Sequence, residues 1–474
     1  MSTPSFRIYP TAAGEATSPD FRLWINDFPV HVHTARVSRV PLNQVWPGYQ
    51  RPLDQTEIAS FAAWDAEGMV QVRIESTRQI DSLAVKPISL GIQPEIKGNT
   101  MTFSMPCPAY ATVEVNGFHQ ALHLFASPLE TDIPDPGDPQ TLYFAAGEHS
   151  PGIVELNSGQ TVYLAPGAVV YGGFHARDAE NIRICGRGIL DQSKLEREDG
   201  NGGISMLNCH RIHIEGIILR DPNIWTVTLA ACRDIRIDGI KLIGLWRYNA
   251  DGIDLVNSQD ALVENCFIRS FDDSIVLKGF PTFDGFPSGE MAVRDILARR
   301  CVIWCDWGRA LEIGAETSAP QMTAIRFKDI DIIRTTHIAM DIQHGDRALI
   351  HDVSFENIRV EIDDDSPLPV FQTRRDEVYA PDPKVRYCPQ LIVLVIAENM
   401  WSHDKQRGAI RDIRFKDIRV AGKVIPPSYL GGHDAENDVR EVTIENLSVG
   451  GRKILSLEEG NFTVDRFVSG VEIR

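Results

Sequence analysis

The sequence predicts an all-β fold, a right-handed parallel β-helix preceded by a β-sandwich-like domain. Three observations carry this. A strand-and-corner phrase recurs from about residue 180 toward the end of the chain. Residues before about 135 alternate with period two between turn residues, and a stretch rich in Pro and Asp separates the two patterns.

The repeat joins alternating apolar residues to a polar corner. It begins at Ile182-Arg183-Ile184-Cys185-Gly186 and returns as Ile212-His213-Ile214-Glu215-Gly216, Ile235-Arg236-Ile237-Asp238-Gly239 and Leu262-Val263-Glu264-Asn265. It continues as Ile325-Arg326-Phe327-Lys328-Asp329, Val353-Ser354-Phe355-Glu356-Asn357, Ile413-Arg414-Phe415-Lys416-Asp417 and Val442-Thr443-Ile444-Glu445-Asn446. The spacing, mostly in the 20s to about 30 residues, is that of a solenoid coil. A tight corner between strands needs a left-handed backbone, which Gly, Asn and Asp adopt most cheaply. Strands too short to bury a face alone gain a shared core by stacking, and in known structures such coils are right-handed. A second phrase runs in step: Leu207-Asn208-Cys209, Ala230-Ala231-Cys232 and Val256-Asn257-Ser258. It predicts an internal stack of small Cys and Ser side chains. No His accompanies them at ligand spacing, so neither a metal nor another cofactor is expected.

Nearer the N-terminus, Val70-Gln71-Val72-Arg73-Ile74-Glu75, Thr100-Met101-Thr102-Phe103-Ser104 and Thr112-Val113-Glu114-Val115-Asn116-Gly117 alternate as the strands of an antiparallel sandwich do. The stretch 127–139, with its four prolines at Pro128, Pro134, Pro136 and Pro139, reads as a linker. The expected division is therefore a sandwich-like domain over 1–135 and a β-helix domain over 136–474. Irregular inserts at about 279–291 and 364–390 interrupt the solenoid, and loops of that length on a repeat protein usually build a cleft wall.

Composition narrows the partners. Hydrophobic residues are 43% and charged residues 24%, ordinary for a water-soluble globular chain. The formal net charge of −18 argues against nucleic acid or an anionic membrane as a partner. An acidic polysaccharide stays possible, because local charge can oppose the net sign. Met1-Ser2-Thr3-Pro4-Ser5-Phe6-Arg7-Ile8 lacks the basic start and apolar core of a secretory signal, and no apolar run reaches the ~18 residues of a membrane helix. With eight cysteines and no CxxC pair, the expected location is cytoplasmic.

Chemistry concentrates on two runs, Asn249-Ala250-Asp251-Gly252-Ile253-Asp254 and Phe271-Asp272-Asp273-Ser274. They occupy matching points one repeat apart, which in a solenoid puts the carboxylates on neighbouring rungs roughly 5 Å apart along the axis. Carboxylates so close cannot all ionise freely. One pKa should rise, leaving a protonated acid beside anionic bases, the equipment for glycosidic bond cleavage. Neighbouring strand residues point to opposite faces, so Asp272 and Asp273 share a cleft only across a local bend. Standing alone, an Asp-Asp corner is more often a solvated turn; Asp251 one coil earlier is what favours catalysis.

At these residues the sequence resembles glycoside hydrolase family 28, the polygalacturonases, an inverting group on a right-handed β-helix. The family's Asn-Thr-Asp motif matches Asn249-Ala250-Asp251, its Asp-Asp pair matches Asp272-Asp273, and its Gly-x-x-x-Ile-Gly strand resembles Gly308-Arg309-Ala310-Leu311-Glu312-Ile313-Gly314. The N-terminal addition, with Tyr163-Leu164-Ala165-Pro166-Gly167-Ala168 at the helix entry, is similar to the dextranase and isopullulanase family. The resemblance implies an oligosaccharide or polysaccharide substrate, Asp272 as general acid, and Asp251 and Asp273 as activators of water. It also implies a substrate-binding role for Lys278.

The departures bear on the substrate. Where polygalacturonases carry Gly-His-Gly the chain reads Asp306-Trp307-Gly308-Arg309, and where they hold Arg-Ile-Lys against a uronate it has Asp341-Ile342-Gln343. Losing two cations removes charge-assisted pairing and supplies acceptors for hydroxyls, so a neutral, end-on substrate is expected. Polygalacturonase action remains the alternative, since Arg374 or Arg375 in the second insert could restore a clamp. Arg309, Glu312 and His344 are further candidates for the groove, as are Trp246, Tyr248, Trp304 and Trp307 for sugar stacking, with Trp304 more readily a buried corner. Trp46-Pro47-Gly48-Tyr49-Gln50-Arg51 could reach toward the groove. Two other classes stay open. A β-helix lyase or epimerase needs a cation cluster for its enolate, and a non-catalytic sugar-binding solenoid needs aromatic platforms without split carboxylates.

Overall fold

The corner residues behave as their chemistry dictates. In the computed structural model, which describes residues 5–43, 51–363, 366–372, 374, 376–382 and 384–474, Asn265, Asp329, Asn357, Asp417 and Asn446 have φ of 55°, 56°, 53°, 56° and 57°. They also bond one another along the stack: the Asn357 amide donates to Asp329 at 2.6 Å and that of Asn446 to Asp417 at 2.6 Å. Between corners the apolar positions align in register, Ile212 with Ile235, then Ala261, Ile296, Ile325, Val353, Ile413 and Val442. The outcome is a parallel β-helix, a sheet of 31 strands in which each strand through most of the solenoid pairs with the third one on.

The expected internal stack is present. The Cys209 amide lies 3.4 Å from the Cys232 sulfur, the Cys232 amide donates to Ser258 Oγ at 3.0 Å, and all three residues are buried. Further on, Phe327, Phe355 and Phe415 stack inside the coil with ring centroids 4.9 Å apart at each step. Phe355 is fully buried between two rungs that cannot collapse onto the gap. Phe355→Ala should therefore cost about 3–5 kcal/mol. Chemical denaturation should show that loss; a change below about 1 kcal/mol would mean the ladder is loosely packed.

The N-terminal region is a two-layer sandwich, and the strand Thr56–Ser76 runs through both layers. Its first half pairs with His33–Ser38 and Leu122–Ser127, its second with Phe21–Ile25 and Thr100–Cys107. Trp64, Val113 and Leu124 of one layer share a core with Leu23, Val72 and Phe103 of the other. The outer face, through Phe61, Tyr110 and Phe125, packs on Ile218, Phe267 and Trp304 of the helix. Buried ion pairs pin the contact, Arg187 to Asp65 at 2.9 Å and Arg220 to Glu15 at 2.7 Å. The last sandwich strand ends at Ser127 and the helix sheet starts at Thr141. Among the described residues no helix is long and apolar enough to cross a membrane.

Candidate active site

Two successive coils bring the aspartates together. The Gly252 amide donates to the Asp273 carbonyl at 2.8 Å, which sets Asp251 one rung before Asp273. Asp251, Asp272 and Asp273 all line one cavity of about 250 Å³. The local bend required of the Asp pair lies at 271–274, between the strands Phe267–Ser270 and Ile275–Gly279. Gly308 makes it possible: a Cβ there would sit 2.5 Å from the Asp272 carbonyl carbon and 2.7 Å from its Oδ1. A larger (about 500 Å³) cavity lies between the sandwich and the helix, but its lining acids are engaged: Glu215 pairs with Arg183, Asp238 with Arg236 and Asp331 with Arg359, and Asp329 accepts from the Asn357 amide.

The side chains around the triad set its protonation. Lys278 Nζ lies 3.0 Å from Asp251 and 3.1 Å from Asp254, with Trp225 covering it at 4.1 Å. Arg309 donates its backbone N–H to Asp273 Oδ1 at 3.0 Å. Its guanidinium spans Asp273, Glu312 and Asp341 at 3.8, 4.0 and 3.4 Å and donates to Gln343 at 2.8 Å. Burial, then the charges of Asp251 and Asp273, push Asp272 well above the usual carboxylate range. Burial also raises Asp273, but Arg309, a hydrogen bond with Glu312 and Lys278 outweigh it and hold that carboxyl below its ordinary value. Burial carries Asp251 to about 6 against the pull of Lys278. Burial likewise raises Asp254 and Glu312 well above the ordinary range. Adjacent aspartates are thus pushed in opposite directions, Asp272 toward the protonated form and Asp273 toward the ionised one.

Of the other expected groups, Lys278, Arg309, Glu312, Tyr248 and Trp307 line the cavity. The rest do not. Asp341 and Gln343 are held behind Arg309, which reaches across one rung and takes up the acceptors that were expected to meet sugar hydroxyls. His344 is buried against Thr317 Oγ1 at 2.7 Å, and burial lowers its pKa to about 3, leaving a neutral packing residue. Trp246 donates to Asp221 at 2.7 Å and lies against Arg36 of the sandwich, so no ring face is free for a sugar. Trp304 is a buried interface residue against His123 and Arg269. Arg374 pairs with Asp376 at 3.2 Å and does not line the cavity. Arg375 and 46–50 lie outside the described residues, while Arg51 covers the ring of Phe271, the residue before Asp272, at 4.3 Å.

The walls were only partly foreseen. The second insert contributes Phe371. The first does not line the cavity; Phe280 and Phe283 instead pack against Trp225 and so back up Lys278. A third loop, 397–408, supplies Met400 and Trp401, which are 78% and 42% exposed. Arg347 joins it to the first insert, pairing with Asp404 at 2.9 Å and donating to the Gly289 carbonyl at 2.7 Å. Two acids were also missed, Asp254 beside Lys278 and Glu316 on the cavity wall. The signal for Asp254 was its place on the same strand face as Glu312 and Asp341, and for Trp401 an aromatic inside a polar run.

No family model matches this sequence, and no curated protein matches it. Among solved structures the chain is similar to Dex49A from Penicillium minioluteum, at 14% identity and a TM-score of 0.64, covering 99% of this chain and 96% of that one. It is also similar to the family 28 exopolygalacturonase of Yersinia enterocolitica, at 13% identity and a TM-score of 0.46, over 85% of this chain and 96% of that one. A polygalacturonase from Erwinia carotovora follows at 13% identity and 0.41, over 71% and 87%. The first likeness, which extends over both the sandwich and the helix, establishes a shared fold.

Proposed function

We propose that this chain is an inverting glycoside hydrolase that acts on neutral oligosaccharides from a chain end. Asp272 is the general acid, and Asp251 and Asp273 activate the water. One feature carries the reading: three buried aspartates on successive coils share one cavity, in which burial and neighbouring charges push Asp272 up while Arg309 holds Asp273 down. Protonated Asp272 can donate to the leaving oxygen while ionised Asp273, with Asp251, takes a proton from water on the other face of the sugar. The pH dependence follows with its sign. Activity rises as pH climbs through the values of the two bases, Asp273 below its ordinary value and Asp251 at about 6, and falls as pH climbs through the raised Asp272 value.

Charge supports the neutral substrate. Among the described residues, the cations paired with Asp251, Asp254 and Asp273 are Lys278 and Arg309, each already divided between carboxylates, and Glu316 pairs with none. A uronate would enter an acidic, partly dry cavity in which the described cations are already engaged. The repulsion arises at the cavity wall rather than at Asp341. Phe371, Met400 and Trp401 close in on a volume of about 250 Å³, which supports recognition of a chain end. The same engaged cations disfavour lyase chemistry, which needs one free for an enolate.

The test is a panel of neutral and galacturonate oligosaccharides with product anomers followed by NMR. Inverted anomers at first appearance and short products released from one end are expected. Retained anomers would remove the single displacement, and efficient mid-chain cutting of polygalacturonate would replace the neutral-sugar reading with a polygalacturonase.

A further inference from the structure

We infer that Glu316 is the residue that selects the sugar, accepting hydrogen bonds from hydroxyls of an uncharged unit held beside Asp251 and turning away a carboxylate there. This rests on the glycosidase reading above and adds to it a specificity-determining group that the motifs do not contain.

The backbone places Glu316 deliberately. Where the strand Ile275–Gly279 pairs with Arg309–Thr317, Leu277 stands opposite Ile313, yet Gly279 stands opposite Thr317. Lys278 alone therefore faces Gly314, Ala315 and Glu316, a bulge that carries Glu316 out of the sheet register. Bulges of this kind recur beside active sites because they re-aim a side chain. Here the re-aimed carboxylate lines the cavity while the residue is only 8% exposed. Its charge is felt by both Asp251 and Lys278, which places it on their side of the cavity.

Among the described residues Glu316 has neither an ion pair nor a hydrogen bond, unlike the acids below it. Lys278, the cation on its side of the cavity, is already divided between Asp251 at 3.0 Å and Asp254 at 3.1 Å beneath the Trp225 ring. A carboxylate with no donor from its own fold is satisfied by water until a ligand displaces that water. Whatever fills the cavity must bring the donors. The hydroxyls of an uncharged sugar do so, and a forked carboxylate suits two of them on neighbouring carbons. A uronate brings an anion instead, and at short range in a low-dielectric site that repulsion is large.

The experiment compares kcat/KM of the full chain on the best neutral trisaccharide from a panel of glucose and galactose oligomers with that on the galacturonate trisaccharide. Glu316→Gln keeps the shape, removes the charge and should lower the neutral rate by about ten- to a hundredfold, mostly in KM, because charge-assisted acceptance is lost. Its neutral-to-uronic ratio should fall by at least about tenfold, while Glu316→Asp, which keeps the charge, should retain the wild-type ratio. Thermal melts establish which variants fold, and Glu316→Ala stands in if the amide does not. An unchanged ratio in a folded, active Gln or Ala variant overturns this inference and leaves the glycosidase reading standing. Wild-type protein that turns over neither sugar, or only the uronide, overturns that reading and this inference with it.

Discussion

Asp272→Asn is expected to lose turnover by about 10²–10⁴-fold, with KM little changed, because an amide fills the same space but has no proton of the right acidity to give. The loss should depend on the leaving group. An aryl glycoside whose phenol leaves without protonation should suffer least, and a plain oligosaccharide most. The pH profile carries a second signature. Burial and the neighbouring charges of Asp251 and Asp273 keep Asp272 protonated well above the usual carboxylate range, so its titration forms the alkaline limb in the wild type. That limb should vanish in the variant, while the acid limb, set by the bases Asp251 and Asp273, should stay. Wild-type-like turnover, or an alkaline limb that survives, would remove Asp272 as the acid.

How much of this was legible depends on whether a feature is local. Corners such as Asn265 and Asn357 announce themselves because a left-handed backbone is cheap for few residues. In a second series of corners Asp234, Asp260, Asp295, Asp352 and Asp412 follow the same rule, but Arg211, Ala324 and Glu441 share it with φ of 55°, 53° and 59°, conformations that stacking imposes on residues with no preference for them. The triad was visible because its members stand one repeat apart. The roles of Asp341, Gln343 and His344 were not, since reading three strands as one groove says nothing about which side chain crosses a rung. Arg309 does cross, and it takes up Asp341 and Gln343 before any ligand arrives. The cavity wall was hidden for a like reason. Trp401 lines the same cavity as Asp251 on a loop near residue 400 that Arg347 ties to an insert more than a hundred residues earlier, and no periodicity records such a tie.

Arg309→Met should be the most damaging single change outside the triad, in stability and in activity together. The guanidinium stands among Asp273, Glu312 and Asp341 and bonds Gln343, and those carboxylates are buried. Methionine fills much of the volume but leaves the acids without a cation, and removing one partner of a buried ionic group costs about 3–5 kcal/mol. Part of that cost is avoidable by protonation, and this is where activity enters. Arg309 is the strongest influence lowering Asp273, opposing its burial, so without it Asp273 must take up a proton more readily. The acid limb of the pH profile should then move to higher pH, and turnover near neutrality should fall by at least about tenfold as the ionised base is depleted. Arg309→Lys should recover only part of either loss, because an ammonium is a point charge that cannot fork across acceptors on two rungs. A purely substrate-binding arginine predicts something else, a raised KM with the acid limb and the denaturation midpoint in place. Measuring kcat and KM across pH, beside urea denaturation of the same variants, separates the two. An acid limb unmoved in Arg309→Met would mean that the ionised state of Asp273 has another source.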